Sequence, residues 1–115
     1  MFTPFAFRNQ VRVVAAAPAT ATLEITNSDA ALNNCAWVKN GITQASIPSN
    51  TTFSTTLNVG DTFYVYASSV SFGATIEYSL NGTFITSYSD DPIAQTSLFT
   101  TEASNIYRFL CYSGF

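Results

Sequence analysis

The clearest local structure signal in the chain is the segment GDTFYVYAS at residues 60–68, followed by GATIEYSLNGTFI at residues 73–85. The first segment is rich in aromatic and β-branched residues, which favour strands. In the second segment an Asn-Gly pair at 81–82 separates two stretches of the same kind, and Asn-Gly is the dipeptide preferred in two-residue hairpin turns. The sequence therefore predicts a strand, a loop and a β-hairpin, and indicates an all-β protein.

The Asn-Gly turn also predicts which hairpin residues share a face. In a regular two-residue hairpin Leu80 opposes Thr83, Tyr78 opposes Ile85, and directly opposed residues lie on the same side of the sheet. The predicted core face carries Ile76, Tyr78, Leu80 and Ile85. The predicted outer face is polar except for two large side chains, Phe84 and Tyr88.

Alternation and turn residues extend this pattern along the chain. Residues 20–27 alternate, with Ala21, Leu23 and Ile25 predicted to point inward. Further strands are predicted at 34–38, before a second Asn-Gly turn, and at 51–57, 97–101 and 105–112. About eight or nine short strands spaced roughly ten residues apart predict a two-sheet antiparallel β-sandwich of immunoglobulin-like or jelly-roll type.

The N-terminal residues differ from the rest. Residues 1–19 are predicted to form an extended N-terminal arm with a possible first strand at 11–16, and residues 20–115 a single β-sandwich domain. Pro4 interrupts any strand pattern in the arm. Because three phenylalanines exposed to water would promote aggregation, we expect the arm to dock on its own domain or on a neighbouring subunit.

Charge and hydropathy exclude several partners. The net charge is −3 with only four basic residues, whereas binding to phosphate backbones needs clustered Lys and Arg. No apolar stretch approaches the length of a membrane span. The N-terminus lacks the basic start and unbroken apolar run of a secretory signal. We therefore expect no nucleic-acid or membrane partner and synthesis in a cytoplasm without a signal peptide.

The side chains that carry catalytic chemistry are also missing. The chain has no His, so Ser and Cys nucleophiles have no partner to activate them. Asp90 and Asp91 precede Pro92 and are interpreted as turn residues rather than a catalytic or calcium-binding pair. Cys35 and Cys111 are interpreted as two buried free thiols, with a disulfide as the alternative. The sequence predicts no enzyme, no catalytic residue, no cofactor and no metal site.

Surplus apolar surface is the main functional signal. Aromatic-rich, charge-poor surface is typical of assembly interfaces. The interface candidates lie in the arm, on the hairpin and on the last strand: Phe2, Phe5, Phe7, Phe84, Tyr88, Ile106, Leu110 and Tyr112. An alternative function is carbohydrate binding, with aromatic rings as stacking faces, by Trp37, Tyr64, Tyr66 or Tyr88. For Trp37, a position in the core is the favoured interpretation.

Two segments carry a family resemblance, LNVGDTFYV at 57–65 and IEYSLNG at 76–82. Together with the Thr-, Ser- and Asn-rich composition, they resemble the small immunoglobulin-like accessory proteins of tailed-phage virions, which include head decoration, tail and fibre proteins. The resemblance extends over about residues 20–112. It implies a non-enzymatic structural protein located in the virion, which joins capsid or tail proteins and copies of itself as a homo-oligomer.

Overall fold

A computed structural model of the protein describes residues 19–115. These residues form ten strands, and within this range there is no helix that could span a membrane. The strands are β1 (Thr20–Asn27), β2 (Asn34–Lys39), β3 (Ile42–Thr43), β4 (Thr51–Asn58), β5 (Thr62–Ser68), β6 (Ala74–Leu80), β7 (Thr83–Asp90), β8 (Ile93–Gln95), β9 (Phe99–Thr100) and β10 (Ile106–Ser113).

The strands form two sheets with the core between them. Sheet A has the order β4-β1-β10-β6-β7, and sheet B has the order β3-β2-β5-β8, with β9 also paired to β5. All pairs are antiparallel except β1 with β10, which run parallel. The predicted all-β two-sheet sandwich is thus confirmed, but sheet A is mixed rather than purely antiparallel.

An aromatic cluster joins the two sheets. The ring of Phe63 in sheet B lies 5.3 Å from that of Tyr107 and 6.1 Å from that of Phe109 in sheet A, both edge to face. Phe109 in turn stacks on Tyr78 at 5.0 Å. Such geometries add to the free energy gained by burying the rings. The alternation predicted for β1 is confirmed, since Ala21, Leu23 and Ile25 are all buried and all belong to the same core.

Both predicted Asn-Gly turns are present. Asn40 and Gly41 have φ angles of 50° and 81°, and Asn81 and Gly82 have 52° and 86°. Positive φ at both central residues defines the type I′ turn, whose twist matches that of the flanking strands. Turn chemistry therefore places two of the strand connections correctly.

The predicted core face is confirmed for Ile76 and Tyr78 on β6, which are buried, but the predicted faces are wrong on β7 after Phe84. Leu80 opposes Thr83 and Ser79 opposes Phe84, but Tyr78 opposes Thr86, so that Ile85 is an extra residue in a β-bulge. One inserted residue moves every later residue of the same strand to the opposite face of the sheet. Ile85 is consequently exposed instead of buried. Tyr88, predicted to face outward, opposes Ile76 and packs against the core.

Two further strand assignments change. β7 continues to Asp90, where a loop beginning at Ser89 was predicted, and the unpredicted strand β8 follows at once. The strand predicted over 97–101 is reduced to Phe99–Thr100. The possible first strand at 11–16 and the arm phenylalanines lie outside the described residues.

The aromatic cluster gives a first prediction. Phe63→Ala removes a fully buried ring that contacts both sheets, so we expect the free energy of unfolding to fall by about 3–5 kcal/mol. Phe84→Ala removes the same ring from an exposed position and should change it by about 0.5 kcal/mol or less. Urea unfolding followed by Trp37 fluorescence measures both. Equal losses from the two variants would contradict this account of the core.

Candidate interaction surfaces

The sandwich has two different ends. Since β1 and β10 run parallel, Thr20 and the two Asn-Gly turns lie at one end, which we call the entry end. The 69–73 loop, the 91–92 turn and residues 113–115 lie at the opposite end. Residues 1–18 therefore join the domain at the entry end.

Four large apolar side chains are more than half exposed at the opposite end, which we call the apolar end: Val70, Phe72, Ile93 and Phe115. Backbone hydrogen bonds connect their segments, from Ser69 N–H to the Pro92 carbonyl at 2.9 Å and from Gly114 N–H to the Gly73 carbonyl at 2.9 Å. Gly73 has φ of +72° and is in contact with the Phe115 ring, where a Cβ would clash. These contacts fix the loops against one another, while the four apolar side chains remain exposed to solvent.

The apolar end is also acidic. The exposed Asp90 and Asp91 immediately precede Pro92 and Ile93. Residues 19–115 contain seven acidic and two basic side chains, whereas residues 1–18 contain Arg8 and Arg12 and no acidic residue. Of the two basic side chains in the domain, Arg108 pairs with Glu24 on the outer face of sheet A. The domain therefore carries a net negative charge and the N-terminal segment a positive one.

Sheet A brings several of the predicted interface residues onto one outer face. Ile106 and Leu110 are partly exposed there, and Phe84 lies on the same face at the edge strand β7, opposite Ser79. Tyr112 is half-buried, and its hydroxyl donates a hydrogen bond of 2.7 Å to Glu77. That bond raises the pKa of Tyr112. The rest of the face is mainly Thr and Ser, so this surface is less apolar than the apolar end.

The outer face of sheet B carries a pair of tyrosines. The rings of Tyr64 and Tyr66 are 6.5 Å apart and half-buried, next to Val38 and Ala36, their cross-strand partners. Trp37 points the other way, is 4% exposed and lies 5.7 Å from Phe53. A core position for Trp37 is confirmed, and its assignment as a sugar platform is wrong.

A cleft of about 290 Å³ opens at the entry end, lined among others by Tyr78, Leu98, Glu102 and Tyr107. The Tyr107 hydroxyl in this cleft accepts hydrogen bonds from the Glu102 N–H at 2.9 Å and from Asn105 Nδ2 at 3.2 Å. Burial raises the pKa of Tyr78. These contacts organise the loop after β9 and bring together no set of catalytic groups.

The Asp90 carboxylate serves local structure. Asp90 Oδ1 accepts a hydrogen bond of 2.8 Å from the N–H of Asp91, as expected of turn residues. Between residues 19 and 115 no three Cys, Asp or Glu side chains lie close enough together to hold a metal ion.

The residues of the apolar end were missed from the sequence. Val70, Phe72 and Ile93 lie in or next to loops, where no periodicity marks a face, and Phe115 lies beyond the last strand. A signal was nevertheless present, because SVSFG at 69–73 places two large apolar residues in a segment rich in Ser and Gly.

Comparisons with known proteins do not assign the chain to a family. No protein-family model matches the chain, and no curated protein matches it. Among solved structures, the chain is similar to a variant of the major pilin from Streptococcus pyogenes, with 11% identity and a TM-score of 0.46 over 84% of this chain. The similar region is 49% of that pilin, so this chain spans about half of its length.

Asp29 gives a prediction on pH dependence. It accepts hydrogen bonds from the Ser113 hydroxyl and N–H and from the Ala31 N–H, and these bonds lower its pKa. A lowered pKa in the folded state stabilises the protein above the unfolded value, near pH 3.9, and this contribution is lost as the pH falls through the folded pKa. Asp29→Asn should therefore lower the Tm at pH 7.

At a pH below the folded pKa of Asp29 the difference in Tm between Asp29→Asn and the unmodified protein should shrink. Thermal unfolding at a series of pH values measures this. A difference that stays constant down to the lowest pH would contradict a role for the Asp29 charge.

Proposed function

We propose that the protein is a non-enzymatic structural protein that assembles head to tail with copies of itself, residues 1–18 of one copy binding to the apolar end of the next. The observation that carries this proposal is the apolar end itself. Four large side chains, each more than half exposed, share one end of a small domain. Surfaces of this kind are typical of protein–protein contacts.

Charge complementarity supports residues 1–18 of another copy as the occupant of the apolar end. The apolar end presents Asp90 and Asp91 beside its apolar side chains, and residues 1–18 combine three phenylalanines with Arg8 and Arg12. An aromatic and basic segment matches an apolar and acidic surface, which speeds association and sets its orientation.

The position of the entry end is compatible with binding to a neighbouring copy. Residues 1–18 join the domain at this end, and the eight residues of β1 separate it from the apolar end by about 25 Å, a distance that an extended segment of this length also spans. In a head-to-tail stack the entry end of one copy faces the apolar end of the next, so the segment meets its site directly. A heterologous contact of this type repeats into a ring or a filament.

The virion is the proposed setting. The segments at 57–65 and 76–82 and the hydroxyl-rich, charge-poor composition support a place among the accessory proteins of tailed-phage particles. In that setting the stack would bind capsid or tail proteins through the outer face of sheet A, where Ile106, Leu110 and Phe84 are exposed. Such contacts need buried area and no chemistry.

Two matched variants test the assembly. Phe72 and Phe84 are each 59% exposed, but only Phe72 belongs to the apolar end. We expect Phe72→Asp to convert the assembled protein to monomers, because the new charge is desolvated in the contact and lies near Asp90 and Asp91. Phe84→Asp should leave the assembly intact. Light scattering at several protein concentrations gives the mass of each.

Deletion of residues 1–10 should give the same monomers as Phe72→Asp, with circular dichroism showing that both remain folded. Dissociation by Phe84→Asp but not by Phe72→Asp would place the contact on sheet A and contradict the head-to-tail arrangement. A full-length protein that is monomeric at all concentrations would contradict self-assembly altogether.

Carbohydrate binding is the second candidate, because Tyr64 and Tyr66 present two neighbouring rings on the outer face of sheet B. Sugar rings stack on such faces. If this surface binds carbohydrate, the protein is retained on a glycan array and Tyr64→Ala and Tyr66→Ala each reduce retention about tenfold or more, whereas Phe84→Ala does not. Retention unchanged in both tyrosine variants, or no retention of the unmodified protein, would exclude this site.

A further inference from the structure

Cys35 and Cys111 come from opposite sheets and meet in the core. Cys35 lies on β2 of sheet B, opposite Ala67, and Cys111 on β10 of sheet A, opposite Ile76. Both side chains are almost completely buried, and their sulfur atoms are not bonded to each other. The two thiols are near enough for each to shift the pKa of the other.

The backbone holds the two positions together independently of the thiols. Asn27 is the β1 partner of Cys111, and its side-chain amide donates a hydrogen bond of 3.0 Å to the carbonyl of Ile47. The N–H of Ile47 in turn donates one of 2.8 Å to the carbonyl of Cys35. Two residues, Asn27 and Ile47, thus connect the cysteine backbones across the gap between the sheets.

We propose that Cys35 and Cys111 form an inter-sheet disulfide when the chain meets a low-molecular-weight disulfide such as oxidised glutathione. The Cys35 thiolate attacks one glutathione sulfur and releases a glutathione thiolate, which leaves a mixed disulfide on Cys35. The Cys111 sulfur, after losing its proton, attacks the Cys35 sulfur and releases the second glutathione. Two protein thiols are oxidised, and one glutathione disulfide is reduced to two thiols.

The order of attack follows from the proximity of the thiols. The Cys111 thiol lowers the pKa of Cys35, and the neighbouring Cys35 thiol together with burial raises the pKa of Cys111. Cys35 is therefore the residue that supplies the first thiolate. Because both residues are buried, glutathione disulfide reaches Cys35 late in folding or during a transient opening of the domain, when β2 and β10 already hold the two cysteines near each other.

This disulfide would join positions separated by 75 residues and connect the two sheets covalently. Bridging such a long loop restricts the unfolded chain strongly. The inference does not depend on the proposed assembly, because it concerns the chemistry of a single chain.

The test refolds the full chain from denaturant either in a glutathione redox buffer or with dithiothreitol. Each sample is then unfolded, alkylated and weighed by intact mass spectrometry. We expect the oxidised sample to take up no alkyl group and to be lighter than the reduced chain by two hydrogen atoms. Its Tm should be higher by roughly 10 °C or more, and dithiothreitol should reverse this shift.

Cys111→Ala is the matched control, and its Tm should not respond to dithiothreitol. Two alkyl groups on the oxidised sample, or a stable glutathione adduct in place of the internal bond, would overturn the proposal. A Tm that is equal in oxidised and reduced protein would do the same.

Discussion

Packing of the Phe63 ring against Tyr107 and Phe109 is the contact on which the rest of the structure depends. Neither sheet can bury its apolar face alone. The Phe63 ring of sheet B packs against two aromatic rings of sheet A and so buries apolar surface of both sheets. The alternation of β1, β5 and β10 serves the same contact, because it supplies one apolar face from each sheet. The loops are then free to carry exposed apolar residues without loss of the core.

The sequence was informative where the signal is local. Alternation in Thr20–Asn27, aromatic and β-branched residues in Thr62–Ser68 and the two Asn-Gly turns predict elements that are present with nearly the expected bounds. The failures are of two physical kinds. The extra residue Ile85 forms a β-bulge that exchanges the faces of the later residues of β7. No residue type in this segment predicts such a bulge. The parallel pairing of β1 with β10 joins segments far apart in the chain, so no local pattern encodes it.

The candidate site shows the same division. The exposure of Phe84 on β7 and of Ile106 and Leu110 on β10 was expected from the sequence, whereas Val70 and Ile93 come together only because loops from both sheets meet at one end. Trp37 was expected in the core, although composition alone also allowed a sugar platform. Its strand neighbours decide, because Trp37 lies on the same face as Cys35 and both point into the core.

The parallel arrangement of β1 and β10 has a mechanical consequence. Residue 20 and residue 113 lie at opposite ends of a ladder of six residue pairs, from Thr22 and Ile106 to Asn27 and Cys111. Tension applied through the chain on either side of the domain slides these two strands along each other. All hydrogen bonds of the ladder then share the load at once, whereas a hairpin pulled at its open end breaks them one at a time. A domain connected in this way resists extension along its long axis, which is the direction of load within a linear stack.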